Sequence, residues 1–95
     1  MNQDQADREQ EQINDALFAA QVRDNPFWQK MMLTLRAQNI ERIGKIRKGK
    51  HYEAQLKDEH DTLQNLQRLE NMISKALDDG KIVKDKQQRR LFSKQ

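Results

Sequence analysis

The chain of 95 residues contains no cysteine, one proline and three glycines. The lack of cysteine excludes a disulfide framework and a thiolate metal site. The apolar fraction is 35%, equal to the charged fraction, and the mean hydropathy is −1.16. No apolar run approaches the roughly 20 residues of a membrane span, and the acidic N-terminus is unlike a signal peptide. We therefore expect a soluble, cytoplasmic protein with no membrane partner.

Motifs for catalysis and for cofactor binding are lacking as well. The sequence has no glycine-rich phosphate loop, no HExxH motif and no nucleophile elbow. The block at residues 58–61 contains His60 between acidic residues, but adjacent residues on a helix point in different directions. The block therefore lacks the three or four convergent ligands of a metal site. We predict no enzymatic activity, no cofactor, no metal and no small-molecule substrate.

Good helix formers and a regular apolar spacing dominate what remains. The clearest pattern starts at Tyr52 and recurs every three or four residues, which places its members on one face of a helix. Those members are Leu56, Leu63, Leu66, Ile73 and Leu77. Gly80 is typical of the residue that follows a helix C-terminus. The spacing predicts a helix over about residues 51–79 that ends at Gly80.

Asn25 and Pro26 predict the start of another helix, because Asn is a favoured N-cap and Pro a favoured first helical residue. Apolar residues from Phe27 to Ile46 carry this helix to about Lys48. Gly49 in a left-handed conformation would then form the turn. Upstream, a weaker stripe predicts a short first helix that ends near Asp24; its members are Ile13, Ala16, Leu17 and Ala20.

Charge supports pairing of the second and third helices. Residues 36–50 carry six basic side chains and one acidic one, whereas residues 51–61 carry four acidic side chains and one basic one. Two helices joined by a short loop pack antiparallel, which places these blocks side by side. We therefore predict an all-α fold: an antiparallel two-helix hairpin with a short N-terminal helix, oligomerising into a helical bundle. Its predicted segments are a disordered acidic N-terminus (1–10), a hairpin domain (11–80) and a basic tail (81–95) that is disordered or extends the helix.

Self-association is the leading hypothesis, because so small a chain buries little of its surface alone. The residues assigned to a self-association or partner surface are Trp28, Met32, Leu35, Leu63, Leu66, Leu69, Ile73 and Leu77. Trp28 fits either core packing or a docking patch. Asn39, Glu59 and Glu70 lie in or beside the stripes, where a polar residue can fix helix register. For Glu70, drift of the stripe is the preferred explanation.

Nucleic-acid binding is the second hypothesis, since clustered basic residues neutralise phosphates. The candidate contacts are Arg42, Lys45, Arg47, Lys48, Lys50, Arg89 and Arg90. The net charge of only +3 argues against it. So does the acidic block at residues 51–61, which could satisfy the basic residues internally.

Residues 25–82 resemble short proteins of tailed bacteriophages. The resemblance rests on Asn25-Pro26-Phe27-Trp28, on the basic helix and loop, and on the leucine-rich run from Leu63 to Gly80-Lys81. Such proteins are encoded among head-assembly and DNA-packaging genes. The resemblance implies a non-enzymatic helical-hairpin protein of virion assembly, in the host cytoplasm or associated with the virion. It implies no particular site residues, and the partner is a second copy, another phage protein or a host protein that the chain inhibits.

Overall fold

A computed structural model describes residues 2–93 of the chain. These residues form three α-helices, α1 (Gln3–Asp24), α2 (Pro26–Lys45) and α3 (Tyr52–Ser93), and contain no strand. The predicted all-α class is confirmed. Position 1 of the predicted N-terminal segment and positions 94–95 of the predicted tail lie outside the described residues.

The boundary between α1 and α2 is the one that the sequence predicts. Asn25 is extended, with φ −74° and ψ 120°, and Pro26 opens the helix. The Asn25 side-chain oxygen accepts hydrogen bonds from the backbone N–H groups of Phe27 and Trp28, at 2.8 and 3.1 Å. Asn25 thereby satisfies two of the donors that a helix N-terminus leaves without partners.

The other helix ends differ from the predictions. α1 begins at Gln3 instead of near residue 11, because the Asn2 side chain accepts a 2.8 Å hydrogen bond from the Gln5 N–H and caps the helix. α2 ends at Lys45, and Ile46 is extended at φ −68° and ψ 128°. Gly49 does not adopt a positive φ. The turn before α3 therefore does not use the left-handed glycine that the sequence indicated.

Gly80 does not end α3, which continues without interruption to Ser93. The predicted stop is therefore wrong, and residues 81–93 of the predicted tail are helical. The segment is rich in Lys, Gln and Arg, which have high helix propensity. Asp79 is consequently not at a helix C-terminus, and its carboxylate accepts a 3.0 Å hydrogen bond from Lys75 one turn earlier.

The contacts divide the chain into two compact units. The α1 unit combines α1 with the part of α3 from residue 72 onward, and the α2 unit comprises residues 25–71. The α1 unit buries Glu9, Ala19, Gly80 and Val83, and the α2 unit buries Met32, Asn39 and Leu66.

The buried and half-buried positions of α3 follow a seven-residue repeat. From Glu59 to Gly80 one series advances in steps of four and three, through Leu63, Leu66, Glu70, Ile73 and Leu77; Thr62, Ala76 and Asp79 are half-buried beside it. That spacing is the signature of a coiled-coil seam. Two of these seam positions are occupied by glutamate, so the seam is not purely apolar.

Candidate interaction surfaces

Asn39 is the most deeply buried side chain of the α2 unit, at 1% exposed. Its side-chain N–H₂ donates to the backbone oxygen and to Oε2 of Glu59, both at 2.9 Å. Arg42 donates to the other carboxylate oxygen of Glu59 at 2.8 Å. Because the buried Asn39 amide donates to Glu59, it avoids the desolvation penalty of an unpaired polar group. The cluster fixes α2 and α3 at one register.

Arg36 and Glu70 form a second polar contact in the same unit. Arg36 Nε and Nη2 donate to Glu70 Oε1 at 3.1 and 2.6 Å. Glu70 therefore occupies the seam with a specific partner, and the drift preferred from the sequence is wrong. Both side chains are more than one-third exposed, so solvent screening limits the pair to about 0.2–1 kcal/mol. Arg36 contacts Glu70, whereas Arg42, later in α2, contacts Glu59, which is earlier in α3.

Glu9 and Arg90 form the corresponding contact of the α1 unit. Both Arg90 guanidinium Nη groups donate to the Glu9 carboxylate, and Gln87 donates to it at 3.5 Å. The hydrogen bonds from Arg90 hold the pKa of Glu9 below its ordinary value, and burial opposes this effect. The same contact raises the pKa of Arg90. The contact with Arg90 thus favours the ionised form of Glu9, although only 7% of the residue is exposed.

Gly80 marks a close approach of α1 and α3. A Cβ built on Gly80 would overlap the Ala16 Cβ and lie 3.3 Å from the Gln12 carbonyl oxygen. Gly44, by contrast, has no such neighbour within 4 Å. Gly80 therefore allows close packing of the two helices. The sequence alone did not reveal this role, because a glycine that permits close packing cannot be told from one that ends a helix without knowing its neighbours in the fold.

The residues assigned to self-association fall into three groups. Met32 and Leu66 are buried within the chain itself, and Leu69 is exposed. The half-buried members are Trp28, Leu35, Leu63, Ile73 and Leu77. Much of the predicted surface is thus already in use inside the two units.

Other apolar residues are exposed instead. Among residues 2–93, four apolar side chains are buried, whereas twelve large ones are exposed. The most exposed are Phe18, Phe27, Leu33, Ile40, Met72, Leu91 and Phe92, at 66–75%. Scattered apolar side chains are normal on a protein surface, but a contiguous patch indicates an interaction site.

One such patch lies on the α2 unit. A groove of about 500 Å³ is lined by Ile43, Leu56 and Leu63, with Glu53, Lys57 and His60 at its edges. Ile40 precedes Ile43 by one turn and Leu33 precedes Ile40 by two turns, so both continue the apolar surface along the same side of α2. We call the surface formed by Leu33, Ile40, Ile43, Leu56 and Leu63 the groove face.

The basic candidates do not form a uniform cluster. Arg42 is bound to Glu59, Lys45 to Glu41, and Arg90 to Glu9. Arg47, Lys48 and Lys50 are exposed between α2 and α3, and Arg89 is exposed on α3. Three of the seven predicted nucleic-acid contacts are therefore engaged by carboxylates of the same chain.

Residues 2–93 contain no group of three His, Cys, Asp or Glu side chains positioned to hold a metal ion. Within the same residues, none of the helices is both long and apolar enough to cross a bilayer. Comparison with known proteins finds no matching family model and no significantly similar curated protein or solved structure.

Proposed function

We propose that this chain is a non-enzymatic assembly or protein-interaction protein that self-associates into a helical bundle. In this proposal, α2 and residues 52–71 of α3 form an antiparallel hairpin, which is the associating element. The observation that carries the proposal is the excess of exposed large apolar side chains over buried ones.

The energetics favour association. Burying a side chain that is two-thirds exposed contributes about 1–2 kcal/mol. Four such side chains from each of two copies would contribute about 8–16 kcal/mol, comparable with the roughly 4–15 kcal/mol cost of association. Burial of the exposed apolar surface would therefore offset the cost of association over much of this range.

The polar seam contacts support the same proposal. Asn39, Glu59 and Arg42 stabilise one helix register inside the α2 unit. A fixed register presents the exposed apolar side chains in one constant arrangement, which a specific interface requires. Flexible peptides present no such surface until they fold on a partner.

Light scattering coupled to size-exclusion chromatography tests the proposal directly. We expect a mass of two or more chains at micromolar concentration, falling toward one chain on dilution. A strict monomer with a cooperative thermal transition would contradict self-association.

The biological setting that we propose is virion assembly or DNA packaging in a tailed bacteriophage. The similarity of residues 25–82 to short phage proteins supports it, including Asn25-Pro26-Phe27-Trp28 and the run from Leu63 to Gly80-Lys81. The gene is then expected among head-assembly and packaging genes. A gene surrounded by functions unrelated to phages would contradict this setting without affecting self-association.

A further inference from the structure

The apolar spacing of α2 and α3 allows these two helices to pair in more than one register. In each helix, one series of buried or half-buried positions recurs every seven residues. The series is Met32, Asn39 and Ile46 along α2 and its C-cap, and Tyr52, Glu59 and Leu66 along α3. A slip of one repeat moves the helices by about 10 Å and again aligns the two series. The connection at residues 46–51 can span about 20 Å when extended, so it does not prevent the slip.

The polar members of the two series distinguish the observed register from its neighbours. In the observed register, the buried Asn39 amide donates to Glu59. After a slip of one repeat, Glu59 lies opposite Ile46 or Met32, depending on the direction of the slip. Neither side chain donates a hydrogen bond, so the carboxylate loses the amide that it binds in the observed register. The loss of such a partner in a buried site lowers a pairing equilibrium by a factor of about 5–150.

Charge distinguishes α2 from a second copy of α3 as the partner of this seam. Glu59 and Glu70 lie in the α3 seam, and α2 supplies Arg42 and Arg36 to them. Two α3 helices paired in parallel and in register would place each glutamate opposite its own copy. An antiparallel pair centred between the two glutamates would place Glu59 opposite Glu70. Both arrangements bring like charges together, which opposes them.

We infer that Asn39, Glu59 and Glu70 are pairing selectors: they hold the α3 seam to α2 in one register and exclude slipped registers and the α3 of a second copy. This role goes beyond the proposed self-association, because it decides which helices pair inside each chain and applies to a monomer as well. Well-packed apolar residues in place of a buried polar contact are often neutral or stabilising. A chain without the contact between Asn39 and Glu59 should therefore remain folded but pair in more than one way.

The double variant Asn39→Leu/Glu59→Leu tests the inference, because it makes both series apolar. Arg42 loses its partner in this variant, but its side chain is 48% exposed, so water solvates it. We expect the variant to unfold at a urea concentration no lower than that of the natural chain. We also expect at least about one tenth of the chains in a second form, since the discrimination against that form is removed.

Two measurements detect the second form. Amide NMR spectra should show more than one resonance for residues of α2 in the variant and a single resonance for each of them in the natural chain. Sedimentation then separates the two excluded pairings, because a slipped register keeps the mass of the natural species whereas a second copy of α3 raises it.

An exchange of two apolar residues in the same unit is the matched control. Met32→Leu/Leu66→Met changes two buried positions, nearly conserves their volume and retains the contact between Asn39 and Glu59. We expect one resonance for each amide and the mass of the natural species. Second forms in this control would attribute the heterogeneity to altered packing and overturn the inference.

The other outcomes of the experiment are equally decisive. A single form of Asn39→Leu/Glu59→Leu with the mass of the natural species overturns the inference, because the seam then needs no polar residue to select its partner. An unfolded variant also overturns it, since the cluster would then supply stability instead of selection. A natural chain that is monomeric at every concentration contradicts only the proposed self-association, because the comparison of the variant with the natural chain still applies.

Discussion

Gly80 and Gly44 both lie inside helices, yet their surroundings predict opposite effects of the same substitution. Gly44→Ala should stabilise the chain by about 0.5–1 kcal/mol, because alanine favours the helix and nothing lies in its way. Gly80→Ala should destabilise it by about 1 kcal/mol or more, since overlap with Ala16 outweighs the same gain. Urea unfolding measures both. Equal stabilisation by the two changes would contradict the close packing of α1 on α3.

A double-mutant cycle adds a second check on this contact. Ala16→Gly removes the Cβ that Gly80→Ala would meet. We expect a favourable coupling of about 0.5–3 kcal/mol between the two changes, as for residues in direct contact. Additive effects would contradict the contact.

Asn39 carries a different prediction, because its amide is buried and satisfied by Glu59. Asn39→Ala should reduce the free energy of unfolding by about 1–3 kcal/mol, since the Glu59 groups lose a partner in a partly buried site. Exposed Gln38 on the same helix is the control, and Gln38→Ala should change stability by less than about 0.5 kcal/mol. Chemical denaturation followed by circular dichroism measures both. Equal losses of stability for Asn39→Ala and Gln38→Ala would contradict a stabilising role of the hydrogen bonds between Asn39 and Glu59.

Glu9 predicts a pH dependence. Its pKa in the folded chain lies below the ordinary value of 4.5 because of Arg90. Because the pKa is lowered, the carboxylate stabilises the fold fully at pH values above its ordinary pKa. This contribution is lost as the pH falls through the lowered pKa of the folded chain. The melting temperature of the natural chain should therefore fall more between pH 6 and pH 3 than that of Glu9→Gln. Parallel pH profiles for the two proteins would contradict this contribution.

At the scale of the helices, features decided by neighbouring residues could be predicted from the sequence, whereas features decided by packing between helices could not. Asn25-Pro26 predicted the start of α2 correctly, because a cap is decided by a few neighbouring residues. Gly80 was misread, since only the distant Ala16 shows that it serves packing. The start of α1 was missed because residues 3–10 contain no apolar stripe, and the buried Glu9 finds its partner at the other end of the sequence.

The candidate surface was likewise only partly predictable. The sequence identified Leu63 of the groove face, but it assigned Met32 and Leu66 to the same role, and both are buried inside the chain. Ile40 belongs to the apolar set that the sequence assigns to α2 and Leu33 lies on its flank, but neither was among the residues assigned to the partner surface. Their separation of seven residues was the available signal for a second stripe.

Truncation tests the continuation of α3 beyond Gly80. A chain ending at Gly80 lacks Gln87 and Arg90, which bind Glu9 of α1. We expect α1 to lose much of its helicity, so the circular dichroism at 222 nm should fall by more than the share of the deleted residues. A loss that matches only the deleted residues would show that α1 does not need this part of α3.

At the scale of the whole molecule, the salt dependence of nucleic-acid binding would report how many basic side chains contact phosphates. If only the four exposed candidates outside the ion pairs of the chain contact phosphates (Arg47, Lys48, Lys50 and Arg89), the slope of log K against log salt concentration should be no steeper than about −4. A DNA titration at several salt concentrations measures the slope. Slopes near −6 would show that the carboxylate-bound basic residues are released to the nucleic acid, and would favour the second hypothesis.

The separations in sequence between contacting residues have a consequence for the order of folding. Arg42 reaches Glu59 across 17 positions and Arg36 reaches Glu70 across 34, whereas Arg90 reaches Glu9 across 81. Closing a longer loop costs more entropy, and contacts distant in sequence slow folding. Pulse-labelling hydrogen exchange during refolding should therefore protect amides of α2 before those of α1. The polar contacts that secure the two units would then mark an early and a late step of a single folding reaction.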